Sequence, residues 1–310
     1  VNVPSNVVER RGAAVEGIHP IHFAVCSDQG VEGSEVRSPW RSCAKPFQLW
    51  VALDVLGDPA FVDEAFRAIG ASSHSGTDEQ VAVVRELLAA LGVDERELGC
   101  GRAAPAHEAT LYDLLSRGES PAPIHNDCSG KHAFQIAAAR ALGAGDYRSV
   151  DHPLQQRVLA HITDVAGTRP VLATDGCALP TFDLPLTAMA RAYHVLGRAE
   201  DSRTARIRDA MIRRPDLVSG PGRIDLAVSA AAREPCVAKV GARAVYAIAL
   251  PLRGLGIAVK CASADEDALA AALPALLDRI APGAFHWPDP WPWSVVRSKA
   301  GLPVGARTLE

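Results

Sequence analysis

The sequence predicts an α+β fold, in which strands from the N- and C-terminal parts of the chain form one antiparallel sheet packed against helices. Three observations carry this: β-prone runs cluster near the start, the middle shows helical periodicity, and β-branched runs return after residue 236 ahead of a closing helical pattern. Neither an internal repeat nor a linker divides the 310 residues. A single domain over 1–310 is therefore expected, with a helical subregion over about 79–235 inserted between the terminal strands.

Taken in order, residues 16–37 read as a hairpin, with GIHPIHFAVC and VEGSEV as β-prone runs and SDQG as the turn. FQLWVALDVLG after Pro46 has helical spacing and stops at Gly57, so Ser42 and Lys45 lead this helix. EQVAVVRELLAALG, 79–92, is amphipathic and glycine-terminated, with Thr77 or Asp78 as its cap. Further helical patterns fall at 130–143, 153–167, 186–197, 203–213 and 223–233. VAKVGA, AVYAIAL and GLGIAVK then read as strands, PLRG joining the last two. A helix over 264–281 follows, for which Ser263 and Glu266 are spaced as a capping box. The Pro- and Trp-rich HWPDPWPW suits a cover over a core edge or a partner subunit, and Leu309 and Glu310 are set aside as a vector-derived tail.

With 48% apolar residues, 22% charged and a net charge of -4, the chain offers no basic excess to a phosphate backbone, which argues against nucleic-acid binding. No apolar run reaches the ~18 to 20 residues of a membrane span. The opening VNVPSNVVERRG lacks the apolar centre of a secretory signal, and a cytoplasmic protein is expected. Seven cysteines, odd in number and scattered, argue against a disulfide framework and leave thiols for packing, metal binding or catalysis.

Five stretches concentrate chemistry. Ser42-Cys43-Ala44-Lys45 places a hydroxyl and an amine on one helical face, where a neutral lysine can accept the serine proton if its surroundings lower its pKa. Gly70 to Thr77 (GASSHSGT) is a hydroxyl-dense loop before a helix, suited to helix capping or to an anion. HNDCSGKH (125–132) and TDGCALP (174–180) gather metal-capable groups, so two distant cysteines can meet at one Zn²⁺, though a lone cysteine is more often a small buried hydrophobe. In VAKVG (237–241) a strand lysine precedes a glycine that lets substrate approach the backbone, the competing role being an edge-guarding lysine.

In order along the chain, RSCAKPFQ, ASSHSG, CSGKH, HPLQQRV, TDGCALP, VSGPGR, AKVGA and GLGIAVK resemble one family over nearly the whole length. It is the class 3, or Rhizobium etli type, L-asparaginases, similar in fold to serine β-lactamases, penicillin-binding proteins and glutaminases. The resemblance implies hydrolysis of the L-asparagine side-chain amide to L-aspartate and ammonia, with Ser42–Lys45 and Ser73–Lys239 as two Ser-Lys pairs at one site. It implies Zn²⁺ on Cys128, Lys131 and Cys177, with Lys131 neutral once ligated. Arg41, His74, Asp175 and Gly241 are expected around the substrate, and a homodimer is implied. Ser42 is taken as the attacking serine, with Ser73 as the alternative. The sequence departs from the family pattern where VSGPGR runs into Ile224-Asp225 rather than an aromatic residue, and where GIAVK runs into CASADED. Two other readings share part of the pattern: a β-lactam-hydrolysing or penicillin-binding enzyme, and a catalytically silent protein that binds asparagine.

Overall fold

The computed structural model describes residues 5–143 and 145–310; the first four residues, part of the stretch read for a leader, lie outside it. The strands are β1 (Ser5–Arg11), β2 (Ala14–Ser27), β3 (Gly30–Gly33), β4 (Arg37–Pro39), β5 (Val171–Thr174), β6 (Pro180–Pro185), β7 (Val237–Gly241), β8 (Val245–Leu250), β9 (Leu255–Cys261), β10 (Val295–Arg297) and β11 (Pro303–Leu309). The main sheet runs β10-β11-β1-β2-β9-β8-β7, with β3 added on β2, and its pairings are antiparallel. Terminal strands thus share one sheet, as the pattern predicts. Between β4 and β7 the chain is mostly helical, from Lys45 to Ala231, with β5 and β6 among the helices.

Both faces of the sheet are covered, and β8 shows why its sequence suits that place. Val245, Ala247 and Ala249 face the helical body, where the Leu186–Arg198 helix packs closely, while Tyr246, Ile248 and Leu250 face the closing Glu266–Ile280 helix. Small residues on the first side let that helix approach. Gly256 on β9 is the extreme case, since a Cβ there would stand 2.1 Å from the Ala190 carbonyl oxygen.

Several elements differ from the sequence reading. The closing helix is capped by Asp265, which accepts from the Ala268 amide at 2.7 Å; Ser263 instead bonds His19 and Cys261. Two cap-type residues, Ser263 and Asp265, compete there, and the one next to the first turn wins. The Glu64–Gly70 and Glu108–Ser116 helices and the small sheet β4-β6-β5 had no clear periodic signal. Leu309 pairs with Val7 in the sheet and Glu310 forms an ion pair with Arg10, so these last residues belong to the folded structure. The tryptophan-rich segment covers a core edge: Trp291 is buried and its indole N–H donates to the Ala270 carbonyl at 2.8 Å. All seven cysteines are free and buried. Among the described residues, no helix is long and apolar enough to cross a membrane.

The sheet–helix contact at Gly256 gives a direct test. Gly256→Ala is expected to lower unfolding free energy by about 1–3 kcal/mol through overpacking, measured by denaturant titration. An unchanged midpoint would mean that the helix yields without cost.

Candidate active site

The site begins where β4 hands over to a turn. The Trp40 amide donates to the Phe182 carbonyl at 2.9 Å, and Arg41 then takes a left-handed backbone (φ 49) that is uncommon for a residue with a Cβ. A 3-10 turn, Arg41–Ala44, follows and runs into the Lys45–Val55 helix, with Pro46 in its first turn where a missing N–H costs nothing. This bend leaves Ser42 at the rim, 9% exposed, and sends Lys45 inward, 1% exposed.

The two do not pair. Among the described residues the Ser42 hydroxyl has no hydrogen-bond partner, while Lys45 Nζ donates to Ser73 Oγ at 2.9 Å and to the Asp127 carbonyl at 3.2 Å. An ammonium has three protons to place, and a buried one costs free energy unless they are accepted. The lysine therefore reaches past its neighbouring serine to deeper acceptors.

Ser73 sits in the loop after the Glu64–Gly70 helix, fixed by its amide donating to the Val218 carbonyl at 2.9 Å. A Thr77/Gln80 capping box starts the next helix, as expected for one of the two cap candidates. Lys239 Nζ also donates to Ser73 Oγ at 2.9 Å, and to the Val240 carbonyl at 2.9 Å. Two lysines thus fill the acceptor sites of one hydroxyl and leave its own proton as a donor. Lys239 lies on the sheet's terminal strand yet is 0% exposed, which rules out an edge-guarding role.

That edge is closed by the Ser42 turn itself. Cys43 Sγ lies 3.3 Å from the Lys239 carbonyl, and a Cβ at Gly241 would stand 2.7 Å from the Trp40 carbonyl. Gly241 was expected to admit substrate; the close approach it permits is by the protein's own turn. Burial pulls the Lys239 amine down to about 8, with Asp225 acting against that and Lys45 adding to it. Asp127 has its carboxylate 3.7 Å from Lys45 Nζ; its partial burial would raise it, but Lys45 and the other nearby positive groups hold it at about 2.

The two cysteine loops meet beside this centre. Gly130 lets its helix seat against the Ile69 carbonyl, which a Cβ would approach to 2.4 Å. Asn126 accepts from the Cys128 amide at 2.9 Å and donates to the Cys100 and Gly101 carbonyls. Lys131 Nζ donates to Cys177 Sγ at 3.1 Å, and Cys128, Lys131 and Cys177 are all buried. A hydrogen bond from Cys128 and the charge of Lys131 pull the Cys177 thiol far down against its burial. Burial opposes charge on Lys131, yet Cys177, Cys128 and Asp175 outweigh it and raise the amine above its ordinary value. Ligation of a metal would require Lys131 to give up its proton. Two sulfurs and one nitrogen converging in a buried place fit a tetrahedral zinc with one position open. Among the described residues no group of three His, Cys, Asp or Glu side chains is suited to a metal, so the set depends on the lysine.

The Arg41 guanidinium pairs with the Asp175 carboxylate at 2.8 Å, joining the Ser42 turn to the Cys177 loop. His74 is 0% exposed; Nδ1 accepts from the Gly76 amide at 3.1 Å and Nε2 bonds Ser129 at 2.8 Å, so no ring nitrogen is left for a substrate. Burial lowers its pKa to about 3 and keeps it neutral. Sequence reasoning passed over Asp127, Asn126 and Asp225. Asn126 and Asp127 lie inside a quoted motif, whereas Asp225 had only the departure after VSGPGR as its signal.

No curated protein matches the sequence. Among solved structures, one titled as a crystal structure analysis of Mglu is similar at 16% identity and TM-score 0.45, covering 84% of this chain and 66% of that one. Another Mglu structure, in its native form in 4.3 M NaCl, is similar at 15% identity and TM-score 0.43, covering 83% and 61%. The chain thus spans 61% to 66% of the length of these Mglu chains. A variant of the last common ancestor of Gram-negative bacteria class A β-lactamase is similar at 16% identity and TM-score 0.42, covering 86% and 94%. The family model described as L-asparaginase II matches residues 7–307, and the chain belongs to that family.

Proposed function

We propose that the protein is an L-asparagine amidohydrolase that releases L-aspartate and ammonia. The observation that carries this reading is the buried convergence of Lys45 and Lys239 on the Ser73 hydroxyl, in a chain of the L-asparaginase II family. Ser42, on the rim, attacks the side-chain amide carbon, and neutral Lys45 takes its proton. Lys45 returns that proton to the departing ammonia, leaving a β-aspartyl ester that water opens. Ser73 connects the lysines: as Lys45 passes a proton to Ser73 Oγ, the Ser73 proton moves to Lys239, so one shared proton can leave Lys45 free to act as base. Arg41, anchored by Asp175, offers its charge to the substrate α-carboxylate. Cys128, Lys131 and Cys177 would hold Zn²⁺, which when bound supplies a positive centre for gripping and orienting the substrate's α-amino and carboxylate groups. The homodimer and the cytoplasmic location belong to this same proposal.

A second reading makes Ser73 the attacker, and the two 2.9 Å lysine contacts favour it because Ser42 has no such partner. Accessibility favours Ser42, since Ser73 is 1% exposed. Ammonia release by Ser42→Ala and Ser73→Ala separates them. Ser42→Ala is expected to lose at least roughly a thousandfold in kcat, and Ser73→Ala about a hundredfold, as for a lost proton carrier. The reverse order would make Ser73 the nucleophile. Covalent labelling by a penicillin would move the reading to β-lactam chemistry, and asparagine-induced stabilisation without ammonia release would make the protein a sensor. Between asparagine and glutamine one methylene decides, worth about 1–3 kcal/mol in a pocket.

Activity should rise with pH. Lys239 is depressed to about 8 by burial, and loss of one proton from the coupled lysines creates the base, so kcat/KM is expected to climb as pH passes through about 8. A profile that is flat there would exclude a lysine base. For the metal, Cys177→Ala should lose zinc while remaining folded, and chelation should raise KM more than it lowers kcat. A pure kcat loss with unchanged KM would exclude substrate gripping as the role of zinc.

A further inference from the structure

Asp225 stands, buried, in the first turn of the Ile224–Ala231 helix. It is 1% exposed, and among the described residues neither carboxylate oxygen has a hydrogen-bond partner. Its nearest opposite charge is Lys239 Nζ at 3.6 Å, itself fully buried. A carboxylate so placed is expensive to keep unless a charge compensates it, and Lys239 is the group in position to do so. The Tyr246 hydroxyl, on β8, is buried against the same carboxylate, and burial together with that carboxylate raises the phenol.

The other groups facing Lys239 do not duplicate this charge. Lys45 comes from its helix and Arg223 from the loop before Asp225, and both oppose an ammonium. Cys43, from the turn that closes the β7 edge, is pushed up to about 12 by burial and stays a thiol. Tyr246 is raised by burial and stays a phenol. Asp127 also feels Lys239, but its side chain is 43% exposed and its carboxylate lies nearest to Lys45 Nζ, at 3.7 Å. Asp225 is thus the buried anion on the Lys239 side of the centre.

We propose that Asp225 is a positioning residue: its carboxylate holds the Lys239 ammonium against the Ser73 hydroxyl and thereby sets the pH at which the two-lysine centre gives up its first proton. The catalytic meaning of that pH rests on the amidohydrolase reading; the ionisation itself does not. Asp225 touches no substrate and acts only through Lys239.

The chain has five lysines, Lys45, Lys131, Lys239, Lys260 and Lys299, so their ¹³Cε signals can be followed by NMR in the full-length protein, with Lys239→Arg identifying the signal of interest. In wild type the Lys239 signal should titrate near pH 8. In Asp225→Asn its midpoint should fall by at least about one pH unit, because the favourable charge is gone. Asp225→Glu, which keeps the carboxylate, should recover most of that fall, a rescue that a merely structural role would not produce. Asp225→Ser is a second neutral variant should Asn fail to fold. A folded neutral variant with an unmoved Lys239 midpoint overturns the proposal. The rising limb of kcat/KM should move down with the midpoint. If the midpoint shifts but no ammonia is released from L-asparagine, the amidohydrolase reading fails and the role of Asp225 stands; ammonia release with an unmoved midpoint means the reverse.

Discussion

The placement of two lysine amines on one buried serine oxygen is the constraint that shapes this molecule. Each cation taken from water costs several kcal/mol even after relaxation, and the second adds like-charge repulsion to the first. The structure meets this cost from opposite sides. Asp127 with its carbonyl faces Lys45, Asp225 faces Lys239, and the Ser73 oxygen accepts from both. Repulsion that remains favours loss of one proton, and a neutral amine next to a cation is the state in which a serine can be deprotonated near neutral pH.

No local stretch of chain can build such a centre, since its three members come from a helix start, a loop and a strand separated by 28 and 166 residues. The scaffold solves this with close backbone contacts. Gly241 brings β7 against the Trp40 carbonyl, and the turn bearing Ser42 thereby becomes the cover of the sheet edge. On its other side that turn leans on β6 through Trp40 and Arg41, whose amides donate to the Phe182 carbonyl and the Thr181 hydroxyl. The Arg41–Asp175 pair continues the line to Cys177. The serine turn, the lysine strand and the Cys177 loop are thus linked by direct contacts.

Much of this was readable in the residues. The strands within 16–37 and 237–260 and the long helices follow from hydrophobic period, β-propensity and turn residues, and ordered motifs gathered Ser42, Lys45, Ser73, Lys239, Cys128, Lys131 and Cys177. The pairing within the set was not readable. Spacing fixes where Cβ atoms point, but a long lysine side chain goes to whichever acceptors satisfy its protons, and those of Lys45 lie on Ser73 and Asp127 rather than on Ser42. Asp225 stayed hidden because one carboxylate early in a helix usually means favourable end charge, and only tertiary structure shows it buried against Lys239. The small sheet β4-β6-β5 escaped because its strands of three to six residues are too short for period, and β11 because VGARTL carries little β-branched pattern. At Gly241, read as a close-approach position, it is the Trp40 carbonyl of the Ser42 turn that lies where a Cβ would come within 2.7 Å.

The account turns on Ser42 as the group that becomes acylated while Ser73 carries protons. Rapid acid quench of the enzyme during turnover of L-asparagine, followed by peptide mass mapping, tests this directly. The account predicts a β-aspartyl ester on the peptide that contains Ser42. An ester on the Ser73 peptide, or steady ammonia release with neither serine modified at any quench time, would contradict it.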